Sequence, residues 1–351
     1  MTDRIPVTVL TGYLGAGKTT LLNRILSTDH GRRYAVIVNE IGEIGIDGDL
    51  VVGSDEELIE LSNGCVCCTV RGDLVKTVRT LLARVKRPEA ILVETTGLAA
   101  PAPVAQTFIV DPLLNNRTML DSITTVVDAR TVEARLDDSR EAAEQIAFAD
   151  QLVLNKTDQV SADDLKRIER RLHALNPFAA IHRAVRGNVP LDRVLGRGAF
   201  DLDRLTALEP HLLDDAVGCD EIGHVHGPEC GHEHGHGHGH DHGLSPLRHG
   251  TDIETVSLTS DVPMDGDLLE AWLSQRIEID GQGVLRAKGI IAIAGAEKRM
   301  VFQAVQMQLE GDWQRPWRVG EPRTSRLVFI GRHLDADALR RGFEACASRH
   351  S

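Results

Sequence analysis

Short apolar runs rich in branched residues recur through the first half of the chain: IPVTVLT at 5–11, YAVIVNE at 34–40, AILVETTG at 90–97, ITTVVDA at 123–129 and QLVLNKTD at 151–158. Each has the length of a strand and closes on polar or turn-forming residues. Their apolarity is nearly continuous, without the in–out alternation of a strand that has one wet face, so both faces are predicted to be covered. Between the runs the period changes. Leu21, Leu22, Ile25 and Leu26 fall on one helical face, and stretches 71–85 and 161–175 also read as helices. Strands alternating with amphipathic helices predict an α/β domain with a mostly parallel sheet over residues 1–215.

The pattern stops at 219–243, CDEIGHVHGPECGHEHGHGHGHDHG, where eight of the chain's 15 histidines alternate largely with glycine. Glycine at that density opposes a packed core, so 216–250 is predicted to be a His-rich flexible linker. Neutral imidazoles so placed bind Zn²⁺, Ni²⁺ or Co²⁺, which favours a metal-buffering or delivery role over a plain solubilising one. Beyond it, strands are predicted near 253–258, 284–294, 299–308 and 325–331, with helices near 265–277 and 335–347. That order makes 251–351 a smaller C-terminal α+β domain.

Composition narrows the function classes. A length of 351 residues suits two domains. Apolar residues are 42% but aromatic ones only 3%, so aliphatic packing must dominate. The net charge of −13 argues against a general nucleic-acid binder, which needs clustered Lys and Arg. No run of 18 apolar residues predicts a membrane span, and MTDRIPVTVLTGYLG at the start reads as a buried strand, not a signal peptide. A cytoplasmic location is therefore expected, where thiols stay reduced and clustered cysteines do metal or redox work.

The first strand runs into GYLGAGKT, Gly12 to Thr19, a full match to G-x-x-x-x-G-K-[ST] between a strand and a helix. Gly12, Gly15, Ala16 and Gly17 would wrap backbone N–H groups around phosphate oxygens. Lys18 would reach the β- and γ-phosphates, and Thr19, with Thr20 beside it, would open the helix and hold Mg²⁺. The sheet is thus that of a P-loop NTPase. Glu94 ends another strand and is the candidate for the water next to Mg²⁺, while Gly97 can approach the γ-phosphate through its N–H. In LNKTD, Asn155, Lys156 and Asp158 form N-K-x-D; the Asp158 carboxylate can accept two guanine N–H groups, which adenine does not offer, so GTP is preferred to ATP. The loop that caps the base is expected near 183–188.

Three of the six cysteines, Cys65, Cys67 and Cys68, sit in NGCVCCTV. Thiolates suit Zn²⁺ and Cu(I), with Co²⁺ and Ni²⁺ also compatible. Three sulfurs in one loop leave room for a further ligand, which suits an ion that must leave. Glu43 in NEIGEIGID is the preferred fourth ligand, with Glu40 and Asp47 nearby; Asp47 is the alternative acidic group for Mg²⁺. A Cys65–Cys68 redox pair and inert buried thiols are the competing readings.

GYLGAGKTT, VNEIGEIGID, LSNGCVCCTV, VETTG and NKTD, in this order, resemble the CobW-type metallochaperone GTPases, a group related to the urease and hydrogenase nickel-insertion GTPases. VFQAVQ and DWQRPW before a last strand and helix resemble that group's C-terminal domain, so the likeness spans nearly the whole chain. It implies GTP hydrolysis, with Zn²⁺ (or Co²⁺, Ni²⁺ or Fe²⁺) held at Cys65, Cys67 and Cys68 and handed to a metal-dependent client protein. In the YjiA-like bacterial members an acidic residue at the place of Glu43 is implicated with the cysteine loop. Val38 stands where such members can carry another Glu, so that ligand is missing here. Neither nucleic acid nor membrane is expected as a partner, and a homodimer is left open. The rival functions are a GTP-regulated zinc buffer or sensor without a client, and a P-loop kinase or ATPase with incidental cysteines.

Overall fold

The computed structural model describes residues 4–28, 33–38, 57–60, 68–84, 87–196, 252–281, 283–306 and 308–348. The first of its two sheets is built from β1 (Ile5–Thr11), β2 (Tyr34–Val38), β3 (Glu57–Glu60), β4 (Ala90–Glu94), β5 (Thr118–Asp128), β6 (Gln151–Asn155) and β7 (Ala180–Arg183). Its order is β3-β2-β4-β1-β5-β6-β7, and every pairing is parallel. β2, β4 and β6 are buried at every position, as continuous apolarity requires.

Around this sheet run α1 (Lys18–Ser27), α2 (Cys68–Leu82), α3 (Ala102–Val110), α4 (Pro112–Arg117), α5 (Val132–Asp138), α6 (Arg140–Phe148) and α7 (Ala162–Leu175). α7 illustrates how the sequence sets an element: the Ser161 hydroxyl caps the Asp164 N–H, Asp163 and Asp164 face the positive helix end, and Leu165, Ile168, Leu172 and Leu175 form the buried stripe.

The second sheet contains β8 (Ile253–Ser260), β9 (Val284–Ile291), β10 (Lys298–Val305), β11 (Gln308–Pro316) and β12 (Ser325–Arg332), in the antiparallel order β11-β10-β9-β12-β8. Four strands were expected here and five are present. β11 was missed because QLEGDWQRP is polar and pairs only with β10, at the sheet edge. One face packs on α8 (Gly266–Asp280) and α9 (Ala336–Ala345), with Trp272 against Phe329 and Phe343 at ring-centroid distances of 6.1 Å. The other face, including Ile290, Val301, Val328 and Ile330, joins the hydrophobic core of the first sheet. No helix among the described residues is long and apolar enough to cross a membrane.

That shared face is also charged. Asp150, fully buried just before β6, accepts from the Arg286 guanidinium and from Lys288 Nζ (2.6 Å), both on β9, while its other oxygen takes the Ile123 N–H at 2.8 Å. Arg286 also donates to the Phe148 carbonyl, and Arg332 on β12 bridges Glu144 of α6 and Asp252. Burial, reinforced by the neighbouring Arg286 charge and only partly offset by Asp150, pushes the Lys288 ammonium down to about 8.

Candidate nucleotide site

The carboxyl ends of parallel strands are where an open α/β sheet binds its ligand. Gly12, Gly15 and Gly17 have φ of 142°, 73° and 108°, the left-handed region that glycine alone adopts freely. At two of them space is decisive as well: a Cβ on Gly12 would lie 2.2 Å from the Val126 carbonyl oxygen, and one on Gly17 2.4 Å from Asn155 Nδ2. No side chain caps α1, so its first N–H groups remain available to an anion. Lys18 Nζ donates to the Gly12 carbonyl at 2.8 Å. Burial lowers its pKa, opposed by the attraction of Glu94, so the ammonium sits where an added phosphate charge would stabilise it. Thr19 and Thr20 are exposed on the first turn, and Glu94 is buried opposite Leu10 and Val38 in the sheet.

N-K-x-D is held against this loop from the side. Asn155 Nδ2 donates to the Ala16 carbonyl at 2.9 Å, and its Oδ1 accepts the Gly187 N–H at 3.0 Å. Its amide thus links the P-loop to the loop after β7. Lys156, itself at φ 61°, donates to the Gly15 carbonyl (2.7 Å) and to Asp128 (2.8 Å). Asp158 is exposed in a 3₁₀ turn over Thr157–Gln159. The expected capping loop acquires a specific residue: Gly187, at φ 67°, whose added Cβ would stand 3.2 Å from the Leu21 nitrogen of α1.

Two participants escaped the sequence reading. Asp128 ends β5 as Glu94 ends β4, and that strand-end carboxylate was the available signal. Burial raises its pKa, but hydrogen bonds from Arg130 and Lys156 outweigh this and hold the carboxyl below its usual range. Gln145 on α6 is buried and its Nε2 donates to the carbonyls of Gly97 (3.0 Å) and Ala99 (3.1 Å); nothing in the sequence marks it. Gly97 lies so near the P-loop that its Cβ would be 2.8 Å from the Leu14 nitrogen.

The metal ligands cannot be placed in the same way. Cys65, Cys67, Glu40, Glu43 and Asp47 lie outside the described residues, and Cys68 is described only as the backbone start of α2. Among the described residues no group of His, Cys, Asp or Glu is arranged to hold a metal ion. The strands leading to both loops are described, however. β2 and β3 are parallel neighbours that end in register, Val38 beside Glu60, and Val38 is beside Glu94 on the other side.

The family model described as CobW/HypB/UreG, nucleotide-binding domain, matches residues 6–183. The chain belongs to the CobW/HypB/UreG family. A second model, the cobalamin synthesis protein cobW C-terminal domain, matches residues 253–347. The family member described here is 36% identical to the zinc chaperone CobW of Pseudomonas aeruginosa over 96% of its own length and 90% of that protein's. With the zinc chaperone YjiA of Escherichia coli it shares 30% identity over 97% and 98% of the two chains. The crystal structure of Zn(II)-bound YjiA GTPase from E. coli superposes with a TM-score of 0.72 at 28% identity, covering 98% of this chain and 99% of that one.

Proposed function

We propose that this CobW/HypB/UreG-family protein is a GTPase that works as a zinc metallochaperone, binding the ion at Cys65, Cys67 and Cys68 with Glu43 and passing it to a client protein. GTP would sit on the backbone of residues 12–20, with Lys18 on the β- and γ-phosphates and Asp158 reading guanine. Mg²⁺ would be held through Thr19 and Glu94, with Asp47 as a further acidic group. An exposed hydroxyl on the first turn and a carboxylate at the adjacent strand end form an all-oxygen set, which fits a hard cation. When bound, the ion neutralises charge on the phosphate oxygens.

The observation that carries the reading is the shared end of β2, β3 and β4. It puts the origin of the Glu43 loop beside Glu94 and the origin of the cysteine loop on the far side of that same strand, so a movement at the phosphates can reach the cysteines through the Glu43 loop. The zinc chaperone names of the two bacterial relatives support the choice of ion. The work would be done in the cytoplasm.

The test is a zinc titration of wild type and Cys67→Ser with GDP and with a non-hydrolysable GTP analogue. Coupling is reciprocal, and a typical strength makes the wild-type zinc affinities differ about 5- to 150-fold between nucleotides. Cys67→Ser should lose the tight site and keep GTP binding. Equal wild-type affinities would leave a static zinc site. Turnover indifferent to any added apo-metalloprotein would favour a GTP-regulated buffer.

A further inference from the structure

α6 touches the phosphate loops and the second sheet at once. Its buried residues are Ala142, Ala143, Gln145, Ile146, Ala147 and Phe148, an apolar set interrupted by one amide. Gln145 Nε2 bonds the Gly97 and Ala99 carbonyls, and the Gln145 main-chain carbonyl accepts the Thr125 hydroxyl of β5 at 2.8 Å. Its Oε1 has no hydrogen-bond partner among the described residues. A buried amide with an idle oxygen is unfavourable, and leucine would fill an apolar helix face better. Such a residue at this position needs a reason beyond packing.

The reason lies in what it joins. On one side Gln145 holds Gly97 against Leu14 of the P-loop. The next residue back, Glu144, receives Arg332; Phe148 at the helix end receives Arg286; and Asp150, two residues on, receives Arg286 and Lys288. A nine-residue helix therefore links the loop after β4, through Gln145, to β12 through Glu144 and to β9 through Phe148, each by a direct hydrogen bond.

We propose that Gln145 is a positioning residue for GTP hydrolysis, and that through it α6 couples occupancy of the γ-phosphate position to the seating of the second sheet. This rests on the reading that the Gly97 N–H faces the γ-phosphate. In the structure the loop after β4 is held by the two Nε2 bonds. The idle Oε1 offers a second bonded arrangement to a loop N–H once the loop shifts. A loop with two bonded positions on one side chain is the two-state element that coupling requires.

The experiment compares wild type, Gln145→Leu and Gln145→Met in steady-state GTP hydrolysis and in amide hydrogen exchange of Val284–Ile291, with GDP and with a non-hydrolysable GTP analogue. Wild type should show nucleotide-dependent exchange in β9. Both variants should lose that difference and lower kcat about tenfold or more, while KM for GTP and Kd for GDP move less than about threefold, as for an interaction made in the transition state. A variant with wild-type kcat and wild-type exchange difference overturns the proposal, as does one that weakens GDP as much as it lowers kcat, since that is a structural role. Gly97→Ala separates the two readings: if it hydrolyses GTP normally, the placement of Gly97 at the γ-phosphate has failed; if it is inactive while the Gln145 variants are normal, only the present inference has.

Discussion

Replacing Asp150 by Asn isolates the charged joint between the two sheets. The carboxylate is wholly buried, with Arg286 and Lys288 on one oxygen and the Ile123 N–H on the other. Two cations already face one anion, and Asp150→Asn removes the anion. Breaking a buried pair by deleting one partner costs about 3–5 kcal/mol, because the remaining charge loses its buried counter-ion without regaining water. Against a typical total of about 5–15 kcal/mol, that is enough to undock the second sheet before the first unfolds. Lys288→Met should cost much less than Asp150→Asn, because it leaves Asp150 paired with Arg286 and strands no buried charge. Tryptophan fluorescence is the selective probe, because all three tryptophans, Trp272, Trp313 and Trp317, belong to the second unit. Urea titrations followed by fluorescence and by far-UV circular dichroism should coincide in wild type and separate in Asp150→Asn, with the fluorescence transition earlier. If Asp150→Asn loses less than about 1 kcal/mol by both probes, the pairing does not hold the sheets together, whatever its geometry.

Three further outcomes follow from the same geometry. Lys288 is protonated in both folded and unfolded chains below pH 8, but between its folded value of about 8 and the ordinary 10.5 the unfolded chain binds more protons. Stability should therefore rise with pH across that window, by at most about 3 kcal/mol, and Lys288→Met should lack the rise in denaturation curves taken at a series of pH values. Gly17→Ala combines a φ of 108° with a Cβ 2.4 Å from Asn155 Nδ2. It should cost about 1–3 kcal/mol and abolish binding of a fluorescent GDP analogue, and retained binding would contradict the cradle. Asp158→Asn should weaken GTP by about 1–3 kcal/mol in calorimetry and leave the melting temperature without nucleotide unchanged; an unaltered GTP affinity would remove Asp158 from the base site.

The legible parts of the fold were those whose cause is local. β1, β2, β4 and β6 announce themselves because a strand covered on both faces is apolar throughout, and the P-loop does so because eight residues, Gly12 to Thr19, at a strand-to-helix turn contain the whole device. β3, β7 and β11 are short or polar edge elements, stabilised by one neighbour and by little in their own sequence. Nothing in VLRAKGII itself marks Arg286 and Lys288 as buried; their burial is decided by a carboxylate 136 residues away from Arg286. Gln145 is hidden for the same reason. An amide on a helix announces nothing until Gly97 and Ala99 are seen above it.

The joint also bears on how the protein is made. The first sheet closes with β7 at Arg183, whereas the cations of β9 come about a hundred residues later, so at roughly 5–20 residues per second Asp150 waits on the order of ten seconds for its partners. During that interval it is a hydrated carboxylate on an otherwise apolar surface. The face that arrives carries Arg286 and Lys288 beside Ile290, Val301, Val328 and Ile330. Charges that are a burden once the two halves have joined thus keep each half in solution, and resistant to clumping with its own kind, while they are apart. An Asp150→Leu, Arg286→Leu, Lys288→Leu triple replacement could make the finished molecule sturdier and the newly made chain more prone to aggregate.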